Sequence, residues 1–90
     1  MIYEGDEFMD LECEDRKLKE LLINIGKKVR QLREERGLTQ EELAFGANIH
    51  RTQISRIENG ENNLSMSSVS RLVDYFEIEY PEFFDFKNIK

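Results

Sequence analysis

Little in this 90-residue sequence points to an enzyme, a metalloprotein or a disulfide-stapled fold. It has one cysteine, one histidine, one proline and no tryptophan. The lone Cys13 has no partner for an internal disulfide and builds no cysteine zinc site. As the only histidine, His50 leaves a histidine metal cluster or a catalytic triad without a second imidazole. No glycine-rich phosphate loop or paired-carboxylate motif is present, so the reading is non-enzymatic, with no metal and no cofactor. No run of about 18 apolar residues exists, which excludes a membrane span. The first residues, Met1-Ile2-Tyr3-Glu4-Gly5-Asp6-Glu7, are acidic and lack the layout of a signal peptide. The expectation is one cytoplasmic domain, since 90 residues suit a single domain.

The net charge of -6 argues at first against nucleic acid as a partner. Its distribution weakens that argument. Residues 1–21 hold eight acids (Glu4, Asp6, Glu7, Asp10, Glu12, Glu14, Asp15, Glu20) and only Arg16, Lys17 and Lys19 as bases. Residues 22–76 hold eight bases and seven acids, with Lys27, Lys28, Arg30, Arg33 and Arg36 inside ten residues. The acidity belongs to the ends of the chain, and the middle is close to neutral.

Residues 1–14 show no sustained periodicity and read as a flexible acidic arm. From about Asp15, Leu18, Leu21, Leu22, Ile25, Val29 and Leu32 step by three and four, the stripe of an amphipathic helix. Gly37 suits its left-handed cap. Thr39-Gln40-Glu41-Glu42 is a capping box opening a second helix with Leu43, Ala44 and Ala47 on one side, and Asn48 stops it. A third helix spans about His50 to Asn59, with Ile54 and Ile57 inward and Gly60 at its end. Asn62-Asn63-Leu64-Ser65 is a polar connection in which Ser65 can cap a fourth helix, striped by Val69, Leu72, Val73 and Phe76. Pro81 suits the first turn of a short fifth. The chain therefore reads as all-α, with five helices in one domain over residues 15–90.

The second and third helices, joined by a few residues around Asn48, have the spacing of a helix-turn-helix over residues 39–59. The outward positions of the third helix carry Arg51, Thr52, Gln53, Ser55 and Arg56, a set rich in donors and acceptors for base edges. A helix that is merely solvated would carry more Glu and Lys there. These residues point to double-stranded DNA as the partner.

Two stretches carry a resemblance. Ile25-Gly26-Lys27-Lys28-Val29-Arg30-Gln31-Leu32-Arg33-Glu34-Glu35-Arg36-Gly37-Leu38-Thr39-Gln40-Glu41-Glu42-Leu43-Ala44, with Ile54-Ser55-Arg56-Ile57-Glu58-Asn59-Gly60 after it, resembles the Cro/cI-type (XRE, lambda-repressor-like) DNA-binding family. The segment around Leu43-Ala44-Phe45 and His50-Arg51-Thr52-Gln53-Ile54-Ser55 is similar to small stand-alone members such as the controller proteins of restriction-modification systems. The resemblance spans roughly residues 22–86 and implies a five-helix lambda-repressor-like fold and sequence-specific transcriptional regulation. It implies that Gln40 contacts a phosphate and braces the recognition helix, and that Arg51 and Thr52 read base edges. Arg56 matches a further base- or phosphate-facing position, and Asn59 and Gly60 a phosphate approach. Arg33 and Glu58 match a semi-buried ion pair tying the first helix to the recognition helix. Three departures stand out: Asn48 replaces a usual glycine, His50 a usual Ser or Thr cap, and Glu61-Asn62-Asn63 a stretch often basic.

Six of the nine aromatic residues (Tyr75, Phe76, Tyr80, Phe83, Phe84, Phe86) lie within twelve positions. A domain this small has limited room to bury them all, so a homodimer interface is expected at Tyr80, Phe83, Phe84 and Phe86. A dimer also suits DNA, since two half-sites supply specificity that one short helix lacks. The alternative is a protein-interaction module of antitoxin type that keeps the helix-turn-helix fold. Its acidic arm would cover a basic partner or the domain's own DNA face.

Overall fold

The computed structural model describes the backbone of residues 4–61 and 64–89, and side chains from residue 16 onward. The described residues form five α-helices and no strand: α1 (Glu4–Glu35), α2 (Gln40–Ala47), α3 (Arg51–Glu58), α4 (Met66–Phe76) and α5 (Tyr80–Phe83). Each start follows a local cause. Thr39 Oγ1 accepts from the Glu42 N–H at 3.0 Å while Glu42 Oε1 accepts from the Thr39 N–H at 2.8 Å, so both halves of the capping box form. Ser65 Oγ accepts from the Ser68 N–H at 3.1 Å and opens α4. Pro81 sits in the first turn of α5, where its missing N–H costs nothing.

The ends are as local. Gly37 (φ 67°) and Asn48 (φ 58°) adopt the left-handed conformation expected of them. Glu77 (φ 57°) does so too, at the end of α4, where sequence gives no glycine or asparagine to announce it. The carbonyl before it, that of Phe76, accepts from Arg36 Nη2 at 2.8 Å. The Arg36 guanidinium also lies 4.8 Å from the Phe76 ring centroid. Arg36 thus joins the end of α1 to the end of α4.

The core gathers the stripes of all five helices: Ile25, Val29 and Leu32 from α1, Leu43, Ala44 and Ala47 from α2, and Ile54 and Ile57 from α3. Val69, Leu72, Val73 and Phe76 come from α4 and Phe83 from α5, and Ile49 fills the turn between α2 and α3. At Gly26 of α1 the backbone of α3 comes close, at Ile57 and Glu58. A Cβ there would lie 2.7 Å from the Glu58 carbonyl oxygen, so only glycine fits.

Two expectations change. The backbone of α1 is helical from Glu4, well before the start near Asp15 that the apolar spacing indicates. Apolar periodicity marks where a helix packs; the acid-rich turns ahead of it carry no such stripe, though acids favour a helix N-terminus. The side chains of residues 1–15, Cys13 included, lie outside the described residues, as do Asn62 and Asn63. The second change concerns the aromatic cluster. Phe83 is fully buried in its own domain, and Phe86 is half-buried against the core. Phe83 therefore has no surface to offer a second copy. Its α5 position turns it inward, and Tyr80 (50% exposed) and Phe84 (39% exposed) remain on the outside.

Candidate nucleic-acid interface

The turn between α2 and α3 is set by its own backbone. With Asn48 left-handed, the Ile49 N–H reaches the Ala44 carbonyl at 3.0 Å, and Arg71 Nη1 donates to the Asn48 carbonyl at 3.2 Å. The chain leaves α2 at an angle that lets the buried Ile49 pin the turn, and α3 starts two residues later. His50 caps α3 through its ring: Nδ1 accepts from the Thr52 N–H at 3.1 Å. The imidazole thus does here what a Ser or Thr oxygen does in a usual cap.

The inner side of α3 is fastened by Glu58, whose side chain is fully buried. Its carboxylate receives Arg33 Nε at 2.6 Å and Arg33 Nη2 at 3.0 Å, a two-pronged pair. Gln40 Nε2 donates to the same group at 3.0 Å, and Arg30 Nε stands at 3.5 Å. Arg33 Nη1 continues to the Leu38 carbonyl at 2.8 Å, closing the connection between α1 and α2. One carboxylate therefore joins α1, α2 and α3. The hydrogen bonds and charge of Glu58 hold the Arg33 guanidinium above its ordinary pKa despite its partial burial.

The expected site residues divide by what their side chains already touch. Arg51, Thr52 and Arg56 are exposed on α3. Arg51 Nε lies 3.6 Å from Glu41 Oε2, an exposed pair at the lip of α2. Gln53 is half-buried and donates from Nε2 to Ser68 Oγ at 3.0 Å, so it is anchored to α4. Ser55 is half-buried beside it. Asn59 is exposed, with Nδ2 3.3 Å from Glu61 Oε2. Gln40 gives one amide hydrogen to Glu58 and keeps a second. Sequence reasoning missed Ser68, whose hydroxyl links Gln53 to Ser65 Oγ at 3.0 Å. It also missed Arg71 and Arg36, whose roles are bonds to distant carbonyls that no local pattern encodes.

The helix-turn-helix family profile matches residues 29–83. The chain belongs to the helix-turn-helix family. Over 65 residues it is 37% identical to the control protein C.BamHI of Bacillus amyloliquefaciens, a match covering 71% of this chain and 80% of that one. The restriction-modification controller protein C.AhdI of Aeromonas hydrophila is similar in structure, with a TM-score of 0.65 at 33% identity, covering 71% of this chain and 96% of that one. The C.Esp1396I controller tetramer in complex with its natural 35 base-pair operator is similar too. There the TM-score is 0.65 at 36% identity, covering 71% of this chain and 84% of that one. C.Esp1396I is seen there on operator DNA, and the fold of this helix-turn-helix protein is that of these controllers: all-helical, lambda-repressor-like. Among its described helices none is long and apolar enough to cross a membrane.

Proposed function

We propose that this helix-turn-helix protein is a cytoplasmic, sequence-specific transcriptional regulator of the restriction-modification controller type, binding an inverted-repeat operator as a homodimer. One observation carries the reading: α3 is held from behind by the Glu58 bonds while Arg51, Thr52 and Arg56 remain exposed on its outer side. A recognition helix needs both properties, because a side chain specifies a base only when its backbone is held in place. Arg51 and Thr52, at the front of α3, read base edges, and Arg56 reads a base or a phosphate one turn on. Gln53 and Ser55 contribute from the flank, Gln40 donates its second amide hydrogen to a phosphate, and His50 and Asn59 stand at phosphate-facing ends of the helix. The dimer forms through Tyr80 and Phe84 with the edge of Phe86, setting two α3 helices about 34 Å apart on one side of the duplex.

Selection of bound sequences from a random DNA pool tests this. An inverted-repeat consensus supports the reading, and absence of enrichment favours the protein-interaction alternative. Given a consensus, Arg51→Ala and Arg56→Ala each weaken operator binding by about 1–3 kcal/mol for every base edge the arginine reads, with helicity unchanged. Unchanged affinity in a folded double variant would remove these side chains from the readout.

A further inference from the structure

Ser68 stands where α3 meets α4. It lies in the first turn of α4 and is only 3% exposed, so its hydroxyl faces the interior of the protein. Ser68 Oγ accepts from Gln53 Nε2 at 3.0 Å and from Ser65 Oγ at 3.0 Å, which fills both of its lone pairs. Ser65 is fixed in turn by accepting the Ser68 N–H at 3.1 Å, the bond that caps α4. Gln53 is half-buried and sits in the first turn of α3, where a recognition helix meets base edges. It makes no other side-chain hydrogen bond among the described residues.

A glutamine amide has two N–H donors and one carbonyl acceptor. With all of them free it matches adenine, which offers N6–H and N7. It can also give both N–H bonds to guanine, whose O6 and N7 both accept. The bond to Ser68 occupies one N–H, leaving one N–H and Oε1. One donor beside one acceptor fits adenine, whereas guanine would set an acceptor against Oε1. We propose that Ser68 is a positioning residue for specificity: its hydroxyl takes one N–H of Gln53 and so restricts the amide to adenine at one position of each half-site. The proposal rests on α3 reading the major groove, and it adds a residue that itself touches no base.

Binding of the full-length chain to its selected operator tests this, with each of the four bases placed in turn at every half-site position. Gln53→Ala identifies the position that Gln53 reads, as the one where base preference disappears. There the native protein should favour adenine over guanine by at least about fivefold, the low end of what a bidentate pair supplies. Ser68→Ala frees the second N–H and should bring the two bases within about twofold, with preferences elsewhere unchanged. Ser68→Cys, close to serine in shape but a weak acceptor, should do the same, so the test does not hang on one variant folding. Ser68→Thr keeps the hydroxyl and should keep the preference. A general loosening of the domain weakens all operators alike and leaves the ratio of adenine to guanine where it was. A native preference for guanine at that position overturns the proposal. So does an adenine preference that survives in Ser68→Ala and Ser68→Cys, or one lost in Ser68→Thr as well, which would follow packing rather than the hydroxyl. If Gln53→Ala erases no preference while Arg51→Ala does, the positioning role falls and the DNA reading stands. If the native protein selects no sequence at all, both fall.

Discussion

Replacing Glu58 by glutamine changes one oxygen into an NH2 group and tests how far one buried carboxylate holds three helices together. In the native protein its two oxygens receive Arg33 Nε, Arg33 Nη2 and Gln40 Nε2 at 2.6–3.0 Å, all of them donors. An amide in the same place has one acceptor oxygen and turns two N–H bonds toward donors that also carry N–H bonds. Arg33 is left charged and only 13% exposed at its side chain, keeping the Leu38 carbonyl but losing its counter-ion. Breaking a buried pair from one side costs about 3–5 kcal/mol. A 90-residue domain has about 5–13 kcal/mol of total stability, so roughly a quarter or more of it would go. Urea unfolding followed by circular dichroism should show that loss, with a melting temperature lower by at least about 12 °C. The double variant Arg33→Met/Glu58→Leu removes both charges and fills the space with apolar atoms; it should recover most of the loss. A Glu58→Gln loss below about 1 kcal/mol, or a double variant no better than the single one, would refute the claim that the pair fixes α3. The pH dependence has a definite sign. Because folding raises the Arg33 pKa, its contribution is complete below the unfolded arginine range and is lost only as pH rises through the folded value. From the arginine side the pair is therefore flat across neutral pH and fails only at strongly alkaline pH.

Other substitutions test other joints of the fold. Gly26→Ala forces a Cβ to 2.7 Å from the Glu58 carbonyl oxygen, backbone that has little room to retreat. It should cost about 1–3 kcal/mol in the same urea assay, and a neutral result would mean α1 and α3 are not in close contact. Glu77→Gly relieves a left-handed backbone that costs a non-glycine residue about 1–2 kcal/mol. Greater freedom of glycine in the unfolded chain offsets part of the gain, so the melting temperature should rise by a few degrees; a fall would overturn the strain argument. His50→Ala removes the ring that caps α3 and should cost about 1 kcal/mol, whereas His50→Ser should restore it.

How much of this was legible in the sequence depends on whether a feature is local. The capping box at Thr39, the Asn48 stop and the Ser65 cap are local chemistry, and the helices begin and end where those residues stand. The stripe from Ile25 to Phe76 is periodicity, and it names the core residues. The positive φ of Glu77 was not legible, since glutamate is a poor left-handed residue; the tertiary bonds of its neighbours override its preference. Nor was the burial of Phe83 among four similar aromatics, because choosing one depends on the direction in which a four-residue helix docks. At the site, sequence supplied the outer residues of α3 but not their prior engagements. The bond from Gln53 to Ser68 joins residues fifteen apart, and no pattern on either helix announces it.

Those engagements decide how the protein can meet DNA. Arg33 and Arg36 are committed to Glu58 and to the Phe76 carbonyl, Lys28 Nζ donates to the Asp85 carbonyl at 3.2 Å, and Arg71 holds the turn after α2. The basic cluster of residues 27–36 that made the sequence look ready for phosphates is therefore partly occupied in holding helices together. Arg51 is held only by an exposed pair at 3.6 Å, and Arg56 makes no side-chain hydrogen bond among the described residues. An exposed pair of that kind is worth no more than about 1 kcal/mol and weakens with salt, so Arg51 leaves Glu41 for a base at little cost. On the outer side of the recognition helix the available cations are thus Arg51 and Arg56, with Lys27 and the half-exposed Arg30 the least engaged of the basic cluster on α1. With each phosphate contact contributing about 0.9 to the slope of log affinity against log salt, a small set of contacts per copy gives a weak non-specific grip. Affinity at a true operator must then come from base contacts and from doubling the site in a dimer, which ties the specificity of this protein to its assembly.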